Sequence, residues 1–549
     1  MNTINFIKLY ESSFKENWNL KALSDLNQNT LYTYGELAIE IARLHILFDK
    51  FGIKEGDKIA LIGPNHSSWA IVFMATITYG AVIVPILRDF HSVSMENIIL
   101  HSDAKISFID RVVWKNINID RVTHPVFELP SLSIIQDEYN ELDSLQTILD
   151  EKFLSKYPKG FQIDDVKYSH ISNDSTICLN YISGSADFLR GVMLTGNNYV
   201  ANIISIKKFN FLYKGESNLA FLPMAHAFSC TFDLLYGLTI GVHIHILNKI
   251  RNSKMFFEAF QHVKPFLIST VPLILEKIVL SEKEQIINKP LFKVMLKIPL
   301  LNRAVYRKTR KNLIAQFGGR HREMLVGGAS LNEDVEDFLR KIKFPFSVGY
   351  GMTECAPVIS IDTHKNFIPR SCGTVVKDTM KARINSEDPY TIPGEIQVIG
   401  THVMKGYYKS PEATAAAFTS DGWLKTGDLG VIDKKNRLYI KGLLKTMILG
   451  SNGQNIYPKE IETQLNKMDY VLESLVVKRN HGLVALVFPD YNKIKENELS
   501  LSDLHKIMND NRKELNKMIA LYERIGSIEI LKNEFEKSED KKIKRAIYV

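Results

Sequence analysis

The residues best suited by type and spacing to do chemistry lie in Ser347 to Pro357, which reads SVGYGMTECAP. Gly349 and Gly351 flank Tyr350, so a flat aromatic side chain sits on a backbone free to take positive φ and to pass close to a ligand. Thr353 supplies a hydroxyl, and Glu354 a hard carboxylate of the kind Mg²⁺ takes alongside phosphate oxygens. Such a loop suits a planar base and a metal-bound phosphate. A glycine-rich turn with an incidental glutamate fits the same letters, so the choice depends on what else the chain carries.

Four further stretches bear on it. Thr176 to Thr195, TICLNYISGSADFLRGVMLT, runs from an apolar strand into Ser183, Gly184 and Ser185, then through a loop to Arg190 and a second apolar strand. Small hydroxyls beside glycine, followed by a cation, make a loop whose amides can cradle phosphates. A plain hairpin turn is the alternative. His226, in FLPMAHAF, follows a proline-containing turn and precedes an apolar segment, Phe232 to Leu238, with helical spacing. It reads either as a group facing a substrate or as a hydrogen-bonded structural histidine, and the apolar run as a substrate pocket or as core. Met324 to Ser330 is a strand running into a tight turn at Gly327 and Gly328, followed by Ala329. Asp428, in KTGDLG, lies between glycines on an expected turn, where a carboxylate can accept two vicinal ribose hydroxyls or simply form the turn.

These stretches need a scaffold. A helical pattern from Tyr32 to Phe51, a buried strand at Lys58 to Gly63, an apolar helix at Trp69 to Tyr79 and a strand at Gly80 to Pro85 predict a parallel α/β layer. Residues from about 111 to 172 are more polar and irregular and are expected to decorate the surface. After Leu438 comes a short linker at Gly442 to Lys445, then a lysine-rich, compact α/β module. Its pieces are a helix from Tyr457, strands near Leu475 to Val477 and Leu483 to Phe488, and a helix across 502–519. The end, EKSEDKKIKRAIYV, is a charged loop that could swing, or a solvated tail.

At 549 residues the chain exceeds one ordinary core, so two or more domains are expected. The net charge of +8, from 69 basic and 61 acidic residues, is mild, and no long Lys/Arg block marks a nucleic-acid surface. The four cysteines form no CxxC pair, which argues against a zinc site or disulfide framework and fits a reducing cytoplasm. The N-terminus lacks the apolar core of a signal peptide, and no stretch of about 18 uncharged apolar residues could span a bilayer. A cytoplasmic protein is expected, with peripheral membrane contact left open.

Taken together, LPMAHAF, STVPLILEKI (269–278), GGRHREMLVGGASL (318–331), GYGMTE, KTGDLG and SNGQNIYPKEIE (451–462) resemble the adenylate-forming superfamily of acyl-CoA synthetases, adenylation domains and luciferases. The resemblance runs from Tyr32 to Arg545 and looks closest to the long-chain fatty acyl-CoA synthetases. It implies a large, multi-subdomain N-terminal α/β domain (1–441), a hinge (442–445) and a small mobile C-terminal α+β domain (446–549). It also implies ATP, Mg²⁺ and coenzyme A as cofactors. Tyr350 would stack on adenine, with Gly328 and Ala329 lining its pocket and Gly349 and Gly351 shaping its loop. Thr353 would contact phosphate, Glu354 would hold Mg²⁺, Asp428 would bind ribose, and Lys445 would fall at the hinge. Lys542 matches the lysine that bridges the acid and the α-phosphate, where an ammonium offsets the repulsion of two anions. His226 would sit beside the carboxylate.

The departures matter. The family's phosphate loop is usually T-S-G-T-T-G-x-P-K-G, whereas this chain reads I-S-G-S-A-D-F-L-R-G from Ile182. Arg190 keeps a cation, although a guanidinium fork is not a point charge. Ala186 and Leu189 also depart, and Asp187 brings negative charge toward a triphosphate. Leu443 stands where the family has a nucleotide-contacting arginine, and Lys541 replaces the glycine before the catalytic lysine. The expected activity is ATP-dependent ligation of a medium- to long-chain fatty acid to CoA. Loading of an acyl carrier protein is a second enzymatic alternative. A catalytically impaired homologue that binds nucleotide or acyl ligand is a third, from a different class.

Overall fold

The computed structural model describes residues 4–548 except 29, 91, 119–120, 130, 137–144, 183–189, 249, 251, 288–298, 447, 450–454, 480–481, 520–522 and 539–542. The chain divides into two compact units, Met1–Ala382 with Val398–Leu424, and Arg383–Gln397 with Lys425–Val549.

The first unit is built on an eight-stranded sheet. Its order is Gly406–Tyr407, Arg190–Thr195, Thr176–Ile182, Val82–Ile86, Lys58–Ile62, Ala104–Asp110, Val126–Leu129 and Ile134–Gln136. The middle strands run parallel, as the strand–helix–strand pattern requires, and both ends turn antiparallel. The helix Ser67–Tyr79 has every residue from Ser67 to Thr78 buried, which is why its sequence is apolar all round rather than striped. Gly80 ends it at φ 95°, where an added Cβ would also press on Ser169. The helix Tyr34–Lys50 starts from a capping box between Thr33 and Glu36. The stretch expected to decorate the surface instead supplies the strands Val126–Leu129 and Ile134–Gln136 at one sheet edge. These strands are too short for alternation to declare them.

A second sheet of the same unit orders Ser217–Ala220, His243–Ile246, Lys21–Asp25 and Thr30–Thr33. A third, all parallel, orders Leu267–Thr270, Glu323–Val326 and Phe346–Val348. Phe221, Phe256, Phe260 and Phe317 pack edge-on beneath it and carry much of its core.

The second unit holds most of a four-stranded sheet, Met380–Asn385, Gly394–Gly400, Leu424–Ile432 and Leu438–Leu443. It also holds a three-stranded sheet, Val471–Arg479, Gly482–Pro489 and Ile525–Ile530, whose core packs against the helices Pro458–Leu465 and Leu501–Met518. The C-terminal α/β module expected from the sequence has these elements.

The apolar run after His226 is helical but not evenly so. Ala227–Ser229 and Tyr236–Leu238 are α-helical, and Cys230–Leu235 between them is a π-helix. Asp233 lies inside it at 1% exposure, accepting hydrogen bonds from Ser229 Oγ (2.8 Å) and Asn218 Nδ2 (3.3 Å). Burial pushes its carboxyl from the ordinary 3.8 up to about 7, against the pull of those donors. The folded chain therefore binds this proton more tightly than the unfolded chain. The resulting stabilisation is present at low pH and is lost as pH rises from about 4 to about 7. Asp233→Asn removes that dependence. Its melting temperature should fall less than the wild type's between about pH 5 and about pH 8, by on the order of 5 °C. Parallel falls in a thermal scan would show that Asp233 ionises normally in the folded protein.

Candidate active site

Within the first unit, four of the chemistry-bearing stretches meet. The strand Thr176–Ile182 leads into 183–189, so Ser183, Gly184, Ser185, Ala186, Asp187 and Leu189 lie outside the described residues. Arg190, half-buried, opens the returning strand and pairs with Ile182. Three residues before the loop, Asn180 Nδ2 donates to the carbonyl of Ala225, next to His226 (3.4 Å). Asn65 grips the same turn, donating to the Leu222 carbonyl (2.7 Å) and accepting from the Met224 N–H (2.8 Å). His226 itself is exposed at the start of its helix, where its carbonyl accepts from the Cys230 N–H (2.9 Å).

That helix touches both remaining motifs. Thr231 Oγ1 donates to the Ala356 carbonyl (3.2 Å), and a Cβ on Gly327 would come within 3.2 Å of the Phe228 ring. The turn at Gly327 and the loop at Gly349 leave adjacent parallel strands at their carboxyl ends, and the Gly349 N–H donates to the Val326 carbonyl (2.9 Å). Carboxyl ends of parallel strands are where open α/β sheets take their ligands. Gly328, at φ 87°, and Ala329 are exposed there, and Tyr350 and Thr353 are half-buried.

Gly351 is required by space. A Cβ would lie 2.1 Å from the Pro357 carbonyl oxygen, which accepts from the Met352 N–H (2.9 Å). Asn202, fully buried, spans the turn that follows, donating to the Cys355 carbonyl and accepting from the Val358 N–H, both at 2.9 Å. Between these supports the 3₁₀ turn Thr353–Cys355 presents Glu354, at 6% exposure. The Glu354 carbonyl accepts from the Met404 N–H (2.8 Å), and its carboxylate Oε1 accepts from the Tyr407 hydroxyl (2.8 Å). The Arg190 guanidinium lies 5.2 Å from the centre of the Tyr407 ring. Burial first, and then the charge of Glu354, raise the Tyr407 phenol above its ordinary value, with Arg190 opposing.

The donor set fits Mg²⁺. Among the described residues no three His, Cys, Asp or Glu side chains gather as a metal cage. A single buried carboxylate suits an ion that keeps waters and takes substrate phosphates, rather than zinc in an all-protein site.

In the second unit Asp428 is not on a turn. It lies within the strand Leu424–Ile432, paired with Leu443, because the ladder to Leu438–Leu443 begins at Asp428 and continues past Gly430 with a shift of register between Leu429 and Gly430. Gly427 takes φ 73°, and the Asp428 N–H donates to Thr426 Oγ1 (3.1 Å). Leu443 is exposed. Lys445 falls in a short 3₁₀ turn, Leu444–Thr446, and its side chain is not among those described. Lys541 and Lys542 lie outside the described residues. Flanking them, Lys537 pairs with Ile543, and Arg545 Nη2 meets the buried Glu462 carboxylate at 2.5 Å. Asn180, Asn202 and Tyr407 carried no role in the sequence. Only Tyr407 had a local signal, the Gly406-Tyr407-Tyr408 triplet after a strand.

The AMP-binding enzyme family model matches residues 11–408. A 4-coumarate–CoA ligase of Vanilla planifolia is 27% identical over 515 residues, 91% of this chain and 84% of that protein. A long-chain-fatty-acid–CoA ligase of Mycobacterium bovis is 26% identical over 476 residues, 81% of this chain and 75% of that one. ATP-bound MatB from Rhodopseudomonas palustris shares the fold with TM-score 0.75 at 19% identity, covering 99% of this chain and 98% of that one. The family match spans well over half of the chain, which therefore belongs to the AMP-binding enzymes, adenylate-forming acid–CoA ligases that use ATP, Mg²⁺ and CoA.

Proposed function

We propose that the protein adenylates a medium- to long-chain fatty acid and transfers the acyl group to CoA. The reaction is R–COOH + ATP → acyl-AMP + pyrophosphate, then acyl-AMP + CoA → acyl-CoA + AMP. The observation that carries the reading is the meeting, in one unit, of Arg190, the Glu354–Tyr407 pair, the Gly328 turn and the Tyr350 loop around the helix that follows His226. The apolar side chains of that helix, Phe232, Leu234 and Leu235, are 0–1% exposed and belong to the core, so the fatty-acid reading rests on the motifs and not on this run. Relatives named for fatty acids and for 4-coumarate match equally well, so the acid is the open half of the proposal.

The roles follow from chemistry. Ser183, Gly184, Ser185 and Arg190 take the triphosphate, Thr353 adds a hydroxyl to it, and Tyr350 stacks on the base with Gly328, Ala329, Gly349 and Gly351 around it. Glu354 would hold Mg²⁺, which when bound would supply neutralisation of the charge that builds on the departing pyrophosphate. His226 faces the acid's carboxylate. In the second unit we assign Asp428 to the ribose, 442–445 with Lys445 to a hinge between a domain of 1–441 and one of 446–549, and Lys542 to the reacting anions.

ATP–pyrophosphate exchange with Mg²⁺, run against saturated fatty acids of graded length and 4-coumarate, tests the substrate. Exchange should rise over one range of chain lengths and stay low with 4-coumarate. The reverse order would move the protein to aromatic acids. No exchange with any acid, while ATP still binds, would favour a binding-only homologue with the altered phosphate loop as its cause. Lys542→Ala should lower acyl-AMP formation by on the order of 10²–10³ without shifting the melting temperature. An unaltered rate would remove the role assigned to this lysine.

A further inference from the structure

Glu354 and Tyr407 are each only 6% exposed, and the phenol O–H donates to Oε1 at 2.8 Å. A buried carboxylate with a donor on one oxygen can no longer turn freely about its last bond, so the direction of Oε2 is set as well. The donor is itself held from several sides. The Tyr407 N–H donates to Thr414 Oγ1 (2.9 Å), and its strand pairs with Arg190–Thr195, with Tyr407 opposite Val192. The next residue donates its N–H to the Gly191 carbonyl (2.7 Å) and its hydroxyl to Asp103 (2.8 Å), which also accepts from Lys409 (2.7 Å). Arg190, at the exit of the phosphate loop, covers the ring. Partners of this kind orient metal-bound carboxylates, and their loss typically costs 10–100-fold in metal affinity or activity.

We propose that Tyr407 is a positioning residue for the Mg²⁺ carboxylate, fixing Glu354 Oε1 so that Oε2 is presented to the cation. Arg190 locks the tyrosine from the side of the phosphates. The inference rests on the reading of Glu354 as the Mg²⁺ residue, and the experiment keeps the two apart.

Tyr407→Phe and Glu354→Gln in the full chain are compared with wild type by calorimetric titration of ATP at graded Mg²⁺, and by the Mg²⁺ dependence of pyrophosphate exchange. Tyr407→Phe should raise the half-saturating Mg²⁺ concentration by on the order of 10-fold. ATP binding without Mg²⁺ should be unchanged, and much of the rate should return at saturating Mg²⁺. Glu354→Gln should abolish the Mg²⁺ dependence of ATP binding. If Tyr407→Phe leaves the half-saturating concentration unaltered, or lowers activity equally at every Mg²⁺ level, while Glu354→Gln behaves as expected, the positioning role is overturned and the metal assignment stands. If Glu354→Gln keeps a normal Mg²⁺ response, both fall. Should Tyr407→Phe fail to fold, Thr414→Val loosens the same tyrosine through its backbone. It should shift the half-saturating concentration in the same direction by a smaller factor, and no shift would count against the proposal.

Discussion

A buried amide side chain governs the geometry of the first unit's site. Asn202 satisfies an N–H and a C=O on either side of the turn behind Glu354, groups that would otherwise be buried without partners at a cost of about 1–3 kcal/mol each. One helical turn earlier, Asn198 Nδ2 donates to the carbonyls of Thr401 (2.9 Å) and Val403 (2.8 Å), on the segment that leads to Met404 and Tyr407. Residues four apart share a helix face, so one side of Gly196–Lys207 sets both the carboxylate and the phenol that meets it. Thr195 and Asn198 cap that helix directly after the strand that begins at Arg190, which ties the third member of the group to the same piece of chain.

The exchange of lysine for arginine at position 190 looks different against this arrangement. An ammonium would keep the charge toward phosphate but would offer the Tyr407 ring only a point contact. A guanidinium plane can lie over the ring while its N–H groups remain available. The arginine is thus part of a stack that ends on a buried glutamate. The departure from the family's usual loop is physically consistent with a retained anion site.

The sequence made legible whatever depends on local chemistry. The all-apolar helix at Ser67–Tyr79 and the parallel strands follow from residue type and spacing, whereas Gly349 and Gly351 do not take the positive φ that glycine allows, and Gly351 is needed because the Pro357 carbonyl crowds it. Asp428 was misplaced because glycines on both sides signal a turn, whereas pairing with Leu438–Leu443 is a long-range interaction that no window of sequence contains. The asparagines escaped for the same reason. Asn180, Asn198 and Asn202 are ordinary polar letters until the fold brings backbone groups more than 40 residues away within reach of their amides. Tyr407 stood in a visible triplet, but its partner is 53 positions distant.

The π-helical stretch Cys230–Leu235 bears on chain length. A helix that closes its hydrogen bonds over five residues absorbs one residue beyond what an α-helix of the same flanking phase would hold. Phe228 and Thr231 are thereby aimed at the glycine turn and at Ala356, while Tyr236 and Leu238 keep their own packing on the far side. The segment works as a spacer whose single extra residue uncouples the facing of the helix's first half from that of its second.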